Sequence, residues 1–87
     1  MKFFLACIIE QKIDYRGNDI AHAAGILDMQ TCADFCASTS GGRFWTYNTA
    51  TKGCYVKTSS SGRITKETDV SGNRECASPG KRTHHVA

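Results

Sequence analysis

The chain has 87 residues, of which 40% are hydrophobic and 22% are charged, with a formal net charge of +3 at pH 7. This composition predicts one small globular domain and excludes a disordered or collagen-like chain. The charge is too low for a nucleic-acid-binding stripe, and no segment approaches the roughly 20 apolar residues that cross a membrane.

Five cysteines are the most informative feature of this composition: Cys7, Cys32, Cys36, Cys54 and Cys76. A chain this short buries too little apolar surface to be stable by packing alone, so disulfides are expected. Disulfides in turn predict an oxidising compartment and a secreted, extracellular protein. Because the number is odd, at least one thiol is left free or joined to another chain.

The two ends of the chain are predicted to lie outside the domain, with residues 1–6 as a flank and residues 77–87 as a flexible basic tail. The apolar stretch that starts at Phe3 is interrupted at Glu10, so it is too short for a signal peptide. A secreted domain of this kind is expected to be one of several domains in a longer chain.

The first half of the chain predicts a strand that contains Cys7, a loop over residues 14–20, a strand from Ile20 to Ile26 and a helix. Asp28 is a suitable N-cap for a helix from Met29 to about Ser38, which the following Gly-Gly pair ends. Spacings of three and four place one group of side chains on the same packed side of this helix. The group is Met29, Cys32, Phe35 and Cys36.

The second half of the chain predicts a β-hairpin. Residues 44–47 and 54–57 are rich in aromatic and β-branched side chains, and residues 48–53 between them supply the turn. A polar loop at residues 58–62 follows, and residues 70–76 return to the sheet. These elements predict a small α+β domain in which one helix packs on an antiparallel sheet.

Several motifs together resemble a known domain family. They are Cys7, Asp14-Tyr15-Arg16-Gly17-Asn18-Asp19-Ile20, Cys32-x-x-x-Cys36, Phe44-Trp45-Thr46-Tyr47-Asn48, Lys52-Gly53-Cys54-Tyr55-Val56-Lys57 and Ser71-Gly72-x-x-Cys76. In this order and spacing, residues 7–76 resemble the apple (PAN) domain, and most closely the apple domains of apicomplexan microneme adhesins. The resemblance implies an antiparallel β-sheet wrapped around one central α-helix.

The resemblance also implies how the cysteines pair. The implied bridges are Cys7 with Cys76 and Cys32 with Cys54. A third bridge of the family links the second helix cysteine to a cysteine before the aromatic strand, at the position that Gly42 occupies here. Cys36 is therefore expected to be an unpaired thiol on the packed helix face, and a bridge to another chain is the alternative.

No catalytic or metal site is predicted. The cysteine spacing on the helix is not that of a zinc knuckle, and His84-His85 in a polar tail are more often solvated than bound to metal. Burial on the helix face deprives Cys36 of the base and electropositive surroundings that a nucleophile needs. Since no nucleophile-elbow or phosphate-binding motif stands out, we expect a non-catalytic binding module without a cofactor.

Carbohydrate binding is the first functional hypothesis, because some microneme apple domains are galactose-type lectins. Sugar recognition needs polar side chains for the hydroxyls and an aromatic face for the apolar side of the ring. The candidate ligand-binding residues are Asp19, Tyr47, Tyr55 and Lys57. The alternative is that Tyr47 and Trp45 are core residues and that Lys57 is a solvated or a structural residue.

Two other hypotheses remain open for this adhesion module. Protein docking would use the residue types that anchor interfaces, namely Trp45, Tyr15, Tyr55 and Arg43. Binding of acidic glycosaminoglycans would use Lys52, Lys57, Arg63 and Lys66. The resemblance implies a host-cell surface protein or glycan as the partner, a secreted location, and storage in the microneme, a secretory organelle.

Overall fold

The computed structural model describes residues 6–82, with the exception of the Arg82 side chain. Five antiparallel strands form one sheet in the order β1-β5-β3-β4-β2. The strands are β1 (Ile9–Tyr15), β2 (Asp19–Ala23), β3 (Phe44–Asn48), β4 (Gly53–Lys57) and β5 (Arg63–Asn73). The helices are α1 (Met29–Ser38), a 3-10 turn at Arg74–Cys76 and the short α2 (Pro79–Arg82). The predicted α+β fold is confirmed.

Helix α1 begins where the sequence predicts it to begin. The Asp28 carboxylate accepts a hydrogen bond from the Thr31 backbone N–H at 2.9 Å, which satisfies one of the free donors of the first turn. Cys32 and Cys36 are fully buried, and Met29 and Phe35 pack at the edge of the core. The prediction that this side of the helix is packed is therefore confirmed.

The core lies between α1 and one face of the sheet, which we call the helix face. Its buried members are Cys32, Ala33, Cys36, Trp45, Tyr47, Cys54, Val56 and Val70. Trp45 is fully buried and donates its indole N–H to the Asn73 carbonyl at 2.8 Å. A Cβ atom at Gly72 would come within 2.5 Å of the Trp45 ring, so the ring can lie flat on the strand only because residue 72 is glycine.

Two disulfides connect the elements, and they are the pairs that the resemblance implies. The Cys32–Cys54 bridge joins α1 to β4 within the core, and the Cys7–Cys76 bridge joins the two ends of the domain. The expectation that Cys7 lies in the first strand is wrong, because pairing with β5 starts only at Ile9 opposite Gly72. Cys7 instead precedes β1 and meets Cys76 in the 3-10 turn.

Strand β5 is longer than expected and ends earlier. It starts at Arg63 rather than residue 70 and stops at Asn73, so Cys76 lies beyond it. The register with β1 is interrupted, since Gln11 pairs with Val70 whereas Ile13 pairs with Thr65. The extra residues of β5 form a bulge at this point.

The face opposite the helix has a polar inner layer that β1 partly covers. The hydroxyls of Thr46 and Ser71, both buried, lie 2.6 Å apart. The Tyr15 backbone N–H donates to Thr46 Oγ1, and the Ser71 hydroxyl donates to the Ile13 carbonyl. We call this side the open face, because β1 leaves part of it uncovered.

Arg74 holds the loop that follows α1. Its guanidinium donates to the carbonyls of Ala37 and Gly42, each at 3.1 Å, and so ties the end of the helix to the start of β3. Gly42 has no room for a side chain, because a Cβ atom there would lie 2.5 Å from the Cys36 carbonyl oxygen. At the place where the family has its third bridge, hydrogen bonds of a charged side chain therefore connect the same segments.

Cys36 is a free thiol within the core. Burial raises the pKa of this thiol to about 12, so little thiolate forms near neutral pH. We predict that a thiol reagent such as DTNB at pH 8 labels the native domain at least roughly a hundredfold more slowly than free cysteine. In denaturant, one thiol per chain should react at the normal rate. A disulfide-linked dimer on a nonreducing gel with no reactive thiol would show instead that Cys36 bridges two chains.

Residues after Cys76 also pack against the domain. Ala77 is buried, and Ser78 donates both its backbone N–H and its hydroxyl to the Asp34 carboxylate of α1. The domain end that the sequence placed at Cys76 stays a prediction. Residues 1–5 of the predicted flank and residues 83–87 of the predicted tail, including His84-His85, lie outside the described residues.

Candidate ligand-binding site

A cleft of about 210 Å³ opens on the open face, where the end of β1, the β1–β2 loop and the start of β2 meet β3, β4 and the middle of β5. Its six charged lining residues are Asp14, Arg16, Asp19, Lys57, Lys66 and Asp69, three acids and three bases. Gly17, Asn48 and Tyr55 complete the lining. Three of the four ligand-binding residues predicted from the sequence, Asp19, Tyr55 and Lys57, therefore meet in one cleft.

The pleat of β4 explains why Tyr55 and Lys57 reach this cleft. Alternate residues of a strand point to opposite faces, and Cys54 and Val56 belong to the helix-face core. Tyr55 and Lys57 must therefore lie on the open face. Strand β2 brings Asp19 beside them, because Asp19 pairs directly with Lys57.

Lys57 is the most constrained cation of the site, with only 2% of the residue exposed. Its ammonium donates to the Gly17 carbonyl at 3.2 Å and to the Asp19 carboxylate. A buried lysine needs such partners, since an unpaired charge away from water is costly. The pair thus fixes both the ammonium and the loop that forms one wall of the cleft.

Tyr55 supplies the aromatic surface of the site. The Lys57 ammonium lies 5.9 Å from the centre of the Tyr55 ring, and the His22 ring stacks on Tyr55 with 5.4 Å between ring centroids. His22 comes from the neighbouring strand β2, where it pairs with Tyr55. His22 was not predicted as a site residue from the sequence. It could have been found by pairing β2 with β4, because residues that pair directly point to the same face of the sheet.

Asp69 is the second functional candidate that the sequence reasoning missed. It lies on β5 opposite Asn48 of β3, lines the cleft and is only 3% exposed. Burial is the main cause that raises the pKa of this carboxyl above its usual value. Asp69 could not be assigned from the sequence, because the preceding residues 65–68 are all polar and show no alternation of apolar and polar side chains.

Tyr47 does not belong to this site. It points to the helix face, is 4% exposed, and donates its hydroxyl to the Ile26 carbonyl at 2.7 Å. Its ring is packed in the core and offers no surface to a ligand. The assignment of Tyr47 as a ligand-binding residue is therefore corrected to a core residue, as the alternative interpretation held.

Three of the four cations suggested for glycosaminoglycan binding lie close to acidic side chains. Lys57 is buried against Asp19, Arg63 pairs with Glu10 at 2.6 Å, and Lys66 lies 3.9 Å from Asp69. Two of the four aromatic and arginine residues suggested for protein docking, Trp45 and Tyr15, are also buried. Both hypotheses therefore lose residues on which they depended.

Within residues 6–82, no helix has the length and apolar character needed to cross a lipid bilayer. The same residues contain no group of three or more His, Cys, Asp or Glu side chains that could hold a metal ion.

The family model of the PAN domain matches residues 7–79, which include both disulfides and all three cleft residues predicted from the sequence. No curated protein matches the chain significantly.

Proposed function

The chain belongs to the PAN domain family, and from this premise we propose that it is a carbohydrate-binding adhesion module whose ligand site is the cleft of Asp19, Tyr55 and Lys57. PAN domains are protein- or carbohydrate-binding modules of larger proteins and are typically non-catalytic. The choice between sugar and protein therefore depends on the chemistry of the surface.

The observation that carries this proposal is the placement of the Lys57 ammonium. The Gly17 carbonyl of the β1–β2 loop and the Asp19 carboxylate at the start of β2 hold it at the wall of a concave site, next to the exposed part of the Tyr55 ring. A fixed donor beside an aromatic face is the combination that recognises a sugar hydroxyl and the apolar side of a pyranose ring. A flat protein-docking surface would not need a buried charge, such as the Lys57 ammonium, in the wall of a cleft.

The biological setting follows from the family and the disulfides. Two disulfides in a small PAN domain indicate an extracellular or secreted location. Within that setting, we place the domain in a larger secreted or surface protein of the microneme type, where it would attach to glycans or glycoproteins on a host cell. The galactose-terminated glycans bound by some apple lectins are the first ligands to test.

The replacement Tyr55→Ala tests this proposal. Stacking on an aromatic ring contributes about 1 kcal/mol, so loss of the ring should weaken binding of lactose about fivefold or more. The affinity can be measured by amide-shift titration of the whole chain with lactose. Leu27→Ala, which alters an exposed side chain outside the cleft, should bind like wild type.

Unchanged affinity of Tyr55→Ala would show that the sugar binds elsewhere on the domain. A wild-type domain that is folded and gives no saturable shift with lactose or with other neutral galactose-terminated oligosaccharides would contradict the proposed function.

A further inference from the structure

Asp69 has an oxygen that the fold does not use. Its Oδ1 accepts a hydrogen bond from the Thr68 hydroxyl at 3.0 Å. Its Oδ2 accepts none from the described residues, and the nearest cation, Lys66 Nζ, lies 3.9 Å away on a half-exposed side chain. Buried carboxylates are normally well paired, so a nearly inaccessible carboxylate with one unused oxygen is unusual.

This arrangement is unfavourable for folding. Burial and the neighbouring Asp14 both raise the pKa of Asp69, which means that its ionised form is less stable in the native domain than in the unfolded chain. An asparagine of the same shape would avoid this cost. Buried polar groups that have no partner in the protein lower its stability, and such groups are concentrated at functional sites.

Lys57 provides the complementary unused group. An ammonium has three N–H donors, and the described residues accept two of them, at Gly17 and Asp19. Lys57 and Asp69 line the same cleft, and they are close enough for the Lys57 charge to act on the pKa of Asp69. The cleft thus offers one free donor and one free acceptor next to the Tyr55 ring.

We propose that Asp69 is a ligand-binding residue that selects an uncharged sugar with two adjacent free hydroxyl groups. Asp69 Oδ2 accepts a hydrogen bond from one hydroxyl, and the Lys57 ammonium donates one to the oxygen of the other. An ionised carboxylate can only accept, so it cannot bind a sulfate or carboxylate group of an acidic glycan. Asp14 and Asp19 in the same lining strengthen this discrimination. The proposal rests on the proposed sugar-binding function and adds its acceptor residue and the charge of its ligand.

The test compares wild type, Asp69→Asn and Glu67→Gln in amide-shift titrations with lactose and with lactose sulfated on the galactose ring. Asp69→Asn should weaken lactose binding at least about tenfold, because the charged acceptor of the hydrogen bond is replaced by a neutral amide. Glu67→Gln removes an exposed carboxylate of the same strand outside the cleft lining, so its affinity should stay within about threefold of wild type. Wild type should bind the sulfated sugar at least about tenfold more weakly than lactose.

Urea unfolding shows whether a loss of binding is due to misfolding. Asp69→Asn should have a midpoint equal to or higher than that of wild type, since the substitution removes a poorly solvated charge. In wild type itself, the side-chain carboxyl carbon resonance of Asp69 should shift on addition of lactose. This second readout does not depend on any variant.

The possible outcomes separate the two claims. If Asp69→Asn binds lactose like wild type, or if the Asp69 carboxyl resonance stays in place while other cleft signals shift, the role of Asp69 is wrong and the sugar site stands. If wild type prefers the sulfated sugar, the selection for uncharged ligands is wrong. If wild type binds neither sugar, the proposed function fails, and this inference fails with it.

Discussion

Replacing both Cys32 and Cys54 by alanine should lower the free energy of unfolding by about 5 kcal/mol, which is half or more of the stability of the domain. The bridge closes a loop with a sequence separation of 22, which in the chain-entropy model stabilises the domain by about 3 kcal/mol. Both cysteines are also fully buried, so two sulfur atoms are lost from the core, at about 1 kcal/mol each. A domain of this size has only about 5 to 10 kcal/mol of stability in total.

The matched control is the double replacement of Cys7 and Cys76. That bridge has a sequence separation of 69, so chain entropy alone would make it the more important one, at about 4 kcal/mol. Cys7 is exposed and Cys76 is only partly buried, so its loss leaves no comparable cavity. Urea unfolding followed by the fluorescence of Trp45, the single tryptophan, measures both variants. A greater loss of stability in the Cys7 and Cys76 variant would show that chain entropy outweighs packing here.

Replacing Lys57 by methionine should cost about 2 to 3 kcal/mol of stability and abolish binding of lactose. The side chain keeps its length, but the Gly17 carbonyl and the Asp19 carboxylate lose their common donor. About half of this decrease in the free energy of unfolding should come from losing the interaction between Lys57 and Asp19. Asp19 is partly exposed and regains water, which keeps the cost below that of breaking a fully buried ion pair.

A double-mutant cycle with Asp19→Asn isolates the interaction. We expect a coupling free energy of about 1 to 2 kcal/mol between the two positions, measured by urea unfolding of the two single variants and the double variant. Lys66→Met, which removes a half-exposed cation from the same cleft, should change stability by less than about 0.5 kcal/mol. Additive effects of the Lys57 and Asp19 replacements would mean that the pair does not hold the wall of the cleft.

The helix and the hairpin could be predicted because local signals determine them. Asp28 ahead of an apolar pattern with helical spacing located α1, and the aromatic and β-branched runs around residues 48–53 located β3 and β4. Strand β5 was harder to predict, because residues 63–65 pair with the edge strand β1 and residues 63–67 are exposed. A strand with little burial shows no hydrophobic alternation, so its length cannot be read from the pattern.

The site was predicted in part for the same reasons. Alternation along β4 separates Tyr55 and Lys57 from the core cysteine at position 54, and the same rule assigns Tyr47 to the core, because Tyr47 pairs with Cys54. Asp69 depends on the register of β5 and on its burial under neighbouring elements. Neither property can be derived from a polar run in one sequence.

The most direct test of the ligand site is an amide-shift titration of the uniformly 15N-labelled chain with lactose, in which every perturbed residue is assigned. We expect saturable shifts concentrated at the cleft, at Asp19, Tyr55, Lys57 and Asp69, with α1 unaffected. Shifts centred on the surface of α1, or a flat response from the folded domain, would contradict this expectation.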